Sequence, residues 1–134
     1  MPKPAEEADA RSVRIALCEP AADLRGALRA RLDADGGTPP LSVVAEAGDG
    51  EESVRVVAAT QPDVAIVELW MPRLDGTDAI PQMRAAAQDT RIILFTAATS
   101  PNMRRLCGTL GADAFVDKRA TSDALVEQVR ALAA

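Results

Sequence analysis

The chain is poor in aromatics. Of its 134 residues only Trp70, Phe95 and Phe115 carry an aromatic ring. A core must therefore be assembled from Val, Leu, Ile and Ala, which the hydrophobic content of 48% allows. No apolar run approaches the length of a membrane-spanning helix. There is no basic run, and the net charge is −5, which argues against direct nucleic-acid binding. Cysteine is scarce as well. Cys18 and Cys107 both lie in apolar-periodic segments and read as buried free thiols of a reducing compartment, not as a disulfide. Met1 to Ala10 has no apolar core and so is no secretory signal. Its Pro/Glu/Ala-rich composition makes residues 1–11 a disordered tail. Residues 12–134 are enough for one cytoplasmic domain.

What the chain does have is alternation. Short β-branched runs at Val13–Cys18, Leu41–Ala45, Val64–Val67, Arg91–Thr96 and Ala114–Asp117 read as five buried strands. Between them lie helical patterns. Leu24, Ala27, Leu28 and Leu32 predict a first helix over about residues 21–34. Glu51–Thr60 predicts a second, with Val54, Val57 and Ala58 inward. A third buries Ile80 and Met83, and Pro81 favours a late start with Asp78 as cap. Ser100-Pro101 opens a fourth, with Met103, Leu106, Cys107 and Leu110 inward, and Gly111 closes it. Thr121 caps a fifth, with Leu125, Val129 and Leu132 inward. Five strands alternating with five helices imply an α/β sandwich: a parallel sheet with helices on both faces. This leaves no room for an output domain after the fifth helix.

In open parallel sheets, chemistry gathers at the carboxyl ends of the strands. Here those ends supply Glu19, Glu68, Thr96 and Lys118. Any one of them alone reads as a solvated edge or a structural residue. Two carboxylates, a hydroxyl and an ammonium at the same end of successive strands read as a pocket.

With these residues in view, the chain resembles a response-regulator receiver domain over residues 13–133. The likeness rests on Val13-Arg14-Ile15-Ala16-Leu17, Glu46-Ala47-Gly48-Asp49-Gly50-Glu51 and Pro62-Asp63-Val64. It rests also on Met71-Pro72 with Asp75-Gly76, Phe95-Thr96-Ala97, Gly111-Ala112-Asp113 and Lys118. The resemblance implies a flavodoxin-like (βα)5 fold with a five-stranded sheet in order 2-1-3-4-5. In such domains an aspartate ending strand three takes a phosphoryl group from a histidine kinase, and two acids after strand one hold Mg²⁺. By the same resemblance Thr96 and Lys118 contact the phosphoryl group, and Phe115 is the aromatic switch. Arg119, where many receivers carry proline, is more like the receivers of helix-turn-helix transcription factors.

Two decisive positions depart from that pattern. The phosphoacceptor position holds Glu68, and the acid pair reads Glu19-Pro20. Proline offers no side-chain oxygen to a cation that demands near-octahedral oxygen ligation. Glu68 sets its carboxylate roughly 1 to 1.5 Å beyond an aspartate's, one C–C bond further out. Misplacement of that order costs about 10²-fold. Without metal, phosphoryl transfer lacks its charge neutralisation. The expectation is a non-enzymatic, phosphorylation-independent interaction module of a two-component system, with weak or lost Mg²⁺ binding. Its partners are a histidine kinase or an output protein, with a homodimer open. The contact surface expected from the resemblance includes Asn102, Arg104, Arg105 and Arg119. Glu68 facing Lys118 either imitates part of an aspartyl phosphate or satisfies a decayed pocket. Trp70, beside small Ala98, either folds over the pocket rim or stands exposed as an interface anchor. The alternatives are a conventional Mg²⁺-dependent phosphoacceptor and, remotely, a flavin or small-molecule binder. The last would need a phosphate loop that Glu19-Pro20-Ala21-Ala22 does not supply.

Overall fold

A computed structural model of the chain describes residues 12–98 and 100–134. The expected tail over residues 1–11 lies outside the described residues. The elements are β1 (Val13–Cys18), α1 (Ala22–Asp33), β2 (Leu41–Ala47), α2 (Gly50–Thr60), β3 (Val64–Val67), α3 (Gly76–Ala86), β4 (Arg91–Thr96), α4 (Pro101–Leu110), β5 (Ala114–Asp117) and α5 (Ser122–Ala133). The strands form one parallel sheet in the order β2-β1-β3-β4-β5. This is the expected flavodoxin-like arrangement.

The sheet is buried on both faces because its central strands are apolar at nearly every position, not at alternate ones. β3 is buried throughout. Val13, Ile15 and Leu17 of β1 point to one side with Val64, Ile66, Ile93 and Phe95, where α1 brings Leu28 and Leu32 and α5 brings Leu125, Val126 and Val129. Ala16 and Cys18 point to the other with Ala65, Val67, Ile92 and Leu94. There α2 brings Val57, α3 brings Ile80 and Met83, and α4 brings Cys107. Period-two side-chain alternation thus feeds two separate cores. Both cysteines are buried and free, as expected.

Four local expectations need correction. α3 begins at Gly76, not after an Asp78 cap: the carbonyl of Asp75 accepts from Ala79 N at 2.8 Å and from Asp78 N at 3.0 Å. Pro81 is therefore inside the helix, and it is tolerated because it lies on the solvent side. There the carbonyl it leaves unpaired can turn to water. In α2 the inward set is Ser53 and Val57, with Val54 half-buried and Ala58 exposed. Ser53 is accommodated because its hydroxyl donates to Asp49 O at 2.7 Å. In α4 only Cys107 is fully buried, while Met103, Leu106 and Leu110 are half-buried. β2 also runs two residues further than expected, to Ala47.

Ser100 and Thr121 cap their helices as the sequence predicts, and Asp49 caps α2 in the same way. Asp49, Ser100 and Thr121 accept backbone N–H groups from Glu52, Met103 and Ala124 at 2.8, 3.3 and 3.2 Å. Gly111 closes α4 at φ +100°, a conformation that favours glycine.

Candidate functional site

The site lies at the carboxyl ends of β1, β3 and β5. Ladder bonds continue one residue past two of these strands. Glu68 N donates to Cys18 O at 3.0 Å, and Glu19 N donates to Ala47 O at 3.0 Å. Glu19 and Glu68 are thereby set side by side, with only 2% and 6% of their surface exposed. Lys118 follows β5 and is anchored by its own N–H on Thr96 O at 2.9 Å. Its side chain crosses the end of β4, passing 6.0 Å above the Phe95 ring. Nζ donates to Glu68 Oε1 at 2.6 Å and lies 2.5 Å from Glu19 Oε1. The latter contact is one of charge: Glu19 Oε1 has no partner in hydrogen-bond geometry.

The second oxygen of each carboxylate is held by backbone. Glu68 Oε2 accepts from Leu69 N at 2.5 Å and Trp70 N at 3.3 Å. Glu19 Oε2 accepts from Ala21 N at 2.9 Å, at the entrance to α1, where a negative charge also meets the positive end of the helix dipole. Burial pulls the Lys118 pKa down, but the carboxylates of Glu19 and Glu68 beside it outweigh burial and the net shift is upward. Lys118 is therefore a fixed cation at neutral pH.

The loop after β3 is clamped. Gly50 N donates to Pro72 O at 3.1 Å and Gly76 N to Leu69 O at 2.7 Å. A Cβ on Gly50 would fall 1.8 Å from Leu74 O, and one on Gly76 would fall 2.8 Å from Leu69 Cα. Met71 turns into the core under this clamp, whereas Trp70 turns out, with 58% of its surface exposed. Of the two arrangements open for Trp70, the exposed one is found.

The remaining predicted residues divide. Thr96 is fully buried, and its Oγ1 accepts from Ala98 N at 3.3 Å, with no hydrogen bond to Glu68 among the described residues. Phe115 is half-buried beneath the Arg104 guanidinium, 4.8 Å from ring centroid to Cζ. Pro20 follows Glu19 as a half-buried turn residue. Asn102 and Arg105 bond each other, and Arg119 pairs with Asp117 at 3.1 Å. All four residues of the expected contact surface are exposed.

Sequence reasoning paired Lys118 with Glu68 and missed its contact with Glu19. That contact depends on how far an ammonium reaches over β4, for which residue spacing carries no signal. It also missed two anchors. Asp63 Oδ2 accepts from Arg14 N at 2.9 Å, and Asp113 Oδ2 accepts from Ile92 N at 2.8 Å and from Arg84 Nη2 at 2.7 Å. Each carboxylate completes the hydrogen bonding at the start of a strand. A cleft of about 160 Å³ lies away from the site, beside the start of β1 and the end of α5. Its Arg130 is committed to Asp35 and to Pro39 O.

A family model described as the response regulator receiver domain matches residues 15–130, and the chain belongs to that family. It is 33% identical to the response regulator MprA of Mycobacterium ulcerans over 121 residues, covering 90% of this chain and 50% of that protein. It is 34% identical to a nitrate/nitrite response regulator protein homolog of Haemophilus influenzae over 93 residues, 69% of this chain and 45% of that protein. The chain thus spans about half the length of these relatives. Among solved structures, the signal receiver domain of NarL from Mycobacterium tuberculosis superposes with a TM-score of 0.84 at 28% identity, covering 92% of this chain and 97% of that one. A LuxR-family two-component response regulator from Aurantimonas superposes at 0.83 and 27% identity, covering 91% and 85%. The domain is therefore a response-regulator receiver of a two-component system, a class that works between kinases and output proteins. No helix among the described residues is long and apolar enough to cross a membrane.

The Mg²⁺ implied by the family does not fit the residues present. Pro20 has no oxygen to give, and the Oε1 atoms of Glu19 and Glu68 both face Nζ of Lys118. Among the described residues no cluster of three or more His, Cys, Asp or Glu side chains could hold a metal.

Proposed function

We propose that this receiver signals by protein contact without being phosphorylated. The observation that carries the reading is the ammonium of Lys118, held at 2.5 Å from Glu19 and 2.6 Å from Glu68. A carboxylate so engaged has three of its four lone-pair sites taken, one by Lys118 and two by backbone. Its second oxygen is tied to two backbone N–H groups. Phosphoryl transfer depends on positioning and on neutralising charge, and both are missing here. The domain is on this reading no enzyme, and it works in the cytoplasm.

Glu68 keeps one fixed negative charge at the position where a phosphorylated receiver gains its own. A carboxylate has one charge and two oxygens, fewer of each than a phosphoryl group. Thr96 supports the satisfied-pocket reading over mimicry, because its hydroxyl serves its own loop and no bond draws it to Glu68. The face formed by Asn102, Arg104, Arg105 and Arg119 is the proposed contact with a kinase or an output protein.

The test is incubation with acetyl phosphate and Mg²⁺, read by intact-protein mass. No phosphoryl adduct is expected, and beryllofluoride with Mg²⁺ is expected to leave Trp70 fluorescence unchanged. An acid-labile adduct on Glu68 would overturn the proposal.

A further inference from the structure

Charge is sorted across the face that the strand ends form. Strand order carries this face across the sheet as β2, β1, β3, β4 and β5. α2 and α3 begin over the ends of β2 and β3, with Glu51 and Glu52 in the first turn of one and Asp78 in the first turn of the other. Asp75 caps α3 without a side-chain bond to it. Glu51, Asp75 and Asp78 are exposed, and none of the three forms an ion pair among the described residues. The cations of this half are Arg55 and Arg73, and Arg73 lies 3.7 Å from Asp49.

Over the ends of β4 and β5 the sign reverses. α4 has no acid in its first turn and carries Arg104 and Arg105 in its N-terminal half, where the helix dipole disfavours cations. Both are exposed, as is Arg119 after β5. The carboxylate among them is Asp117, paired with Arg119 at 3.1 Å. Along the boundary between the halves the exposed residues are apolar: Ala21 after β1, Trp70 after β3 and Ala97 after β4. Trp70 is the only exposed large hydrophobic side chain among the described residues. Its loop is fixed by Trp70 N on Glu68 Oε2, Gly76 N on Leu69 O and Gly50 N on Pro72 O. The indole therefore stands on a rigid backbone, and covering it costs little ordering entropy.

We propose that a second copy of this chain covers this face, the two copies being related by a two-fold axis near Trp70. Under that symmetry the acidic half of each copy meets the cationic half of the other. Each charge contact is then made twice, and the two indoles are buried at the centre of the contact. A face of one sign would repel its own copy, whereas this one is complementary to itself. The inference goes beyond the proposed function. It gives Arg104, Arg105 and Arg119 a second occupant, which competes with the partner proposed there.

Sedimentation equilibrium of the chain is the test. Its average mass is expected to rise about 1.5-fold between about 10 µM and about 1 mM, approaching two chains and not passing them, as a dissociation constant of about 0.1 mM dictates. Raising the ionic strength from about 0.05 to about 0.5 M should weaken the association at least about threefold, because the Debye length shrinks. Trp70→Ala should weaken it at least about tenfold. Trp70 is the only tryptophan, so its emission should move to shorter wavelength over the same concentration range. Glu51→Arg with Asp75→Arg makes both halves cationic, and Arg105→Glu with Arg119→Glu makes both acidic. Each double variant alone is expected to stay monomeric, and an equimolar mixture of the two to recover the two-chain mass.

A wild-type mass that does not change with concentration overturns the proposal, whether or not a variant folds. A mass that climbs past two chains overturns the two-fold arrangement. A dimer whose Trp70 emission does not move, or whose charge-reversed variants do not recombine, overturns the face. A phosphoryl adduct from acetyl phosphate would sink the proposed function, yet would leave the mass result standing.

Discussion

The backbone N–H of Glu68 donates to the carbonyl of Cys18 at 3.0 Å, and this one bond sets the acid after β3 beside the acid after β1. The spacing of the two acids is therefore a property of the sheet, and side-chain changes act on a fixed frame. Glu68→Asp shortens one arm but adds no ligand at position 20. It is expected to remain unphosphorylated by acetyl phosphate with Mg²⁺. Glu68→Asp with Pro20→Asp restores both carboxylates and is expected to yield a phosphoprotein. Phosphorylation of the single variant would refute the role assigned to Pro20.

Asp35 ties the loop before β2 to two helices, accepting from Arg130 at 2.5 Å and from Arg31 at 3.0 Å. Arg130, then Arg31, hold its carboxyl down from 3.8 to about 2. A depressed folded pKa means stability that is present above the unfolded pKa and lost as the pH falls through the folded one. Asp35→Asn is accordingly expected to lower the urea midpoint at pH 7. The gap to wild type should shrink from about pH 4 downward and close only below about pH 2, where both chains carry a neutral side chain. A gap of constant size across that range would count against the carboxylate as its source.

Burial pushes the Cys18 thiol up to about 12 and the Cys107 thiol up as well. The thiolate is the reactive form. Neither cysteine should react with a thiol-specific disulfide reagent at pH 8 in the native state, and both should react in denaturant. Stopped-flow absorbance would check this, and native reactivity at either position would contradict the packing of that side chain.

Gly50 is pressed against the loop after β3, whereas a Cβ on Gly26 would meet nothing within 4 Å. Gly50→Ala is expected to cost about 2 kcal/mol or more, the range of core overpacking. Gly26→Ala, in the exposed interior of α1, should stabilise by about 0.5 to 1 kcal/mol through helix propensity. Urea unfolding of the two variants should shift in opposite directions.

Much of this was legible in the residues. Val64–Val67 announces a central strand because it is apolar at every position, and Ser100 and Thr121 announce their helices by the oxygen they offer. Ala58 misled because helical phase was read from apolar residues alone, while a serine able to bond its own backbone took the inward place. Pro81 misled because a proline on the solvent face loses far less than one in the core. The Glu19–Lys118 contact was illegible for a different reason. It joins the first and last strands across the sheet, and only strand order brings them within reach. Asp63 and Asp113 were readable as family text but not as strand anchors, since that role depends on a neighbouring strand's unpaired N–H.

α4 is joined to the sheet side of the domain by a single fully buried residue, Cys107, with Arg104 resting on Phe115 outside it. Local opening free energy scales with what an element buries. Among the helices α4 buries the fewest residues fully, with Met103 and Leu110 half-buried against the same core, and it carries Asn102, Arg104 and Arg105. A partner gripping this face can shift the helix while the ion triad at the strand ends stays intact. On the proposed function, a partner bound there would act on the helix while the charges at the strand ends stay fixed.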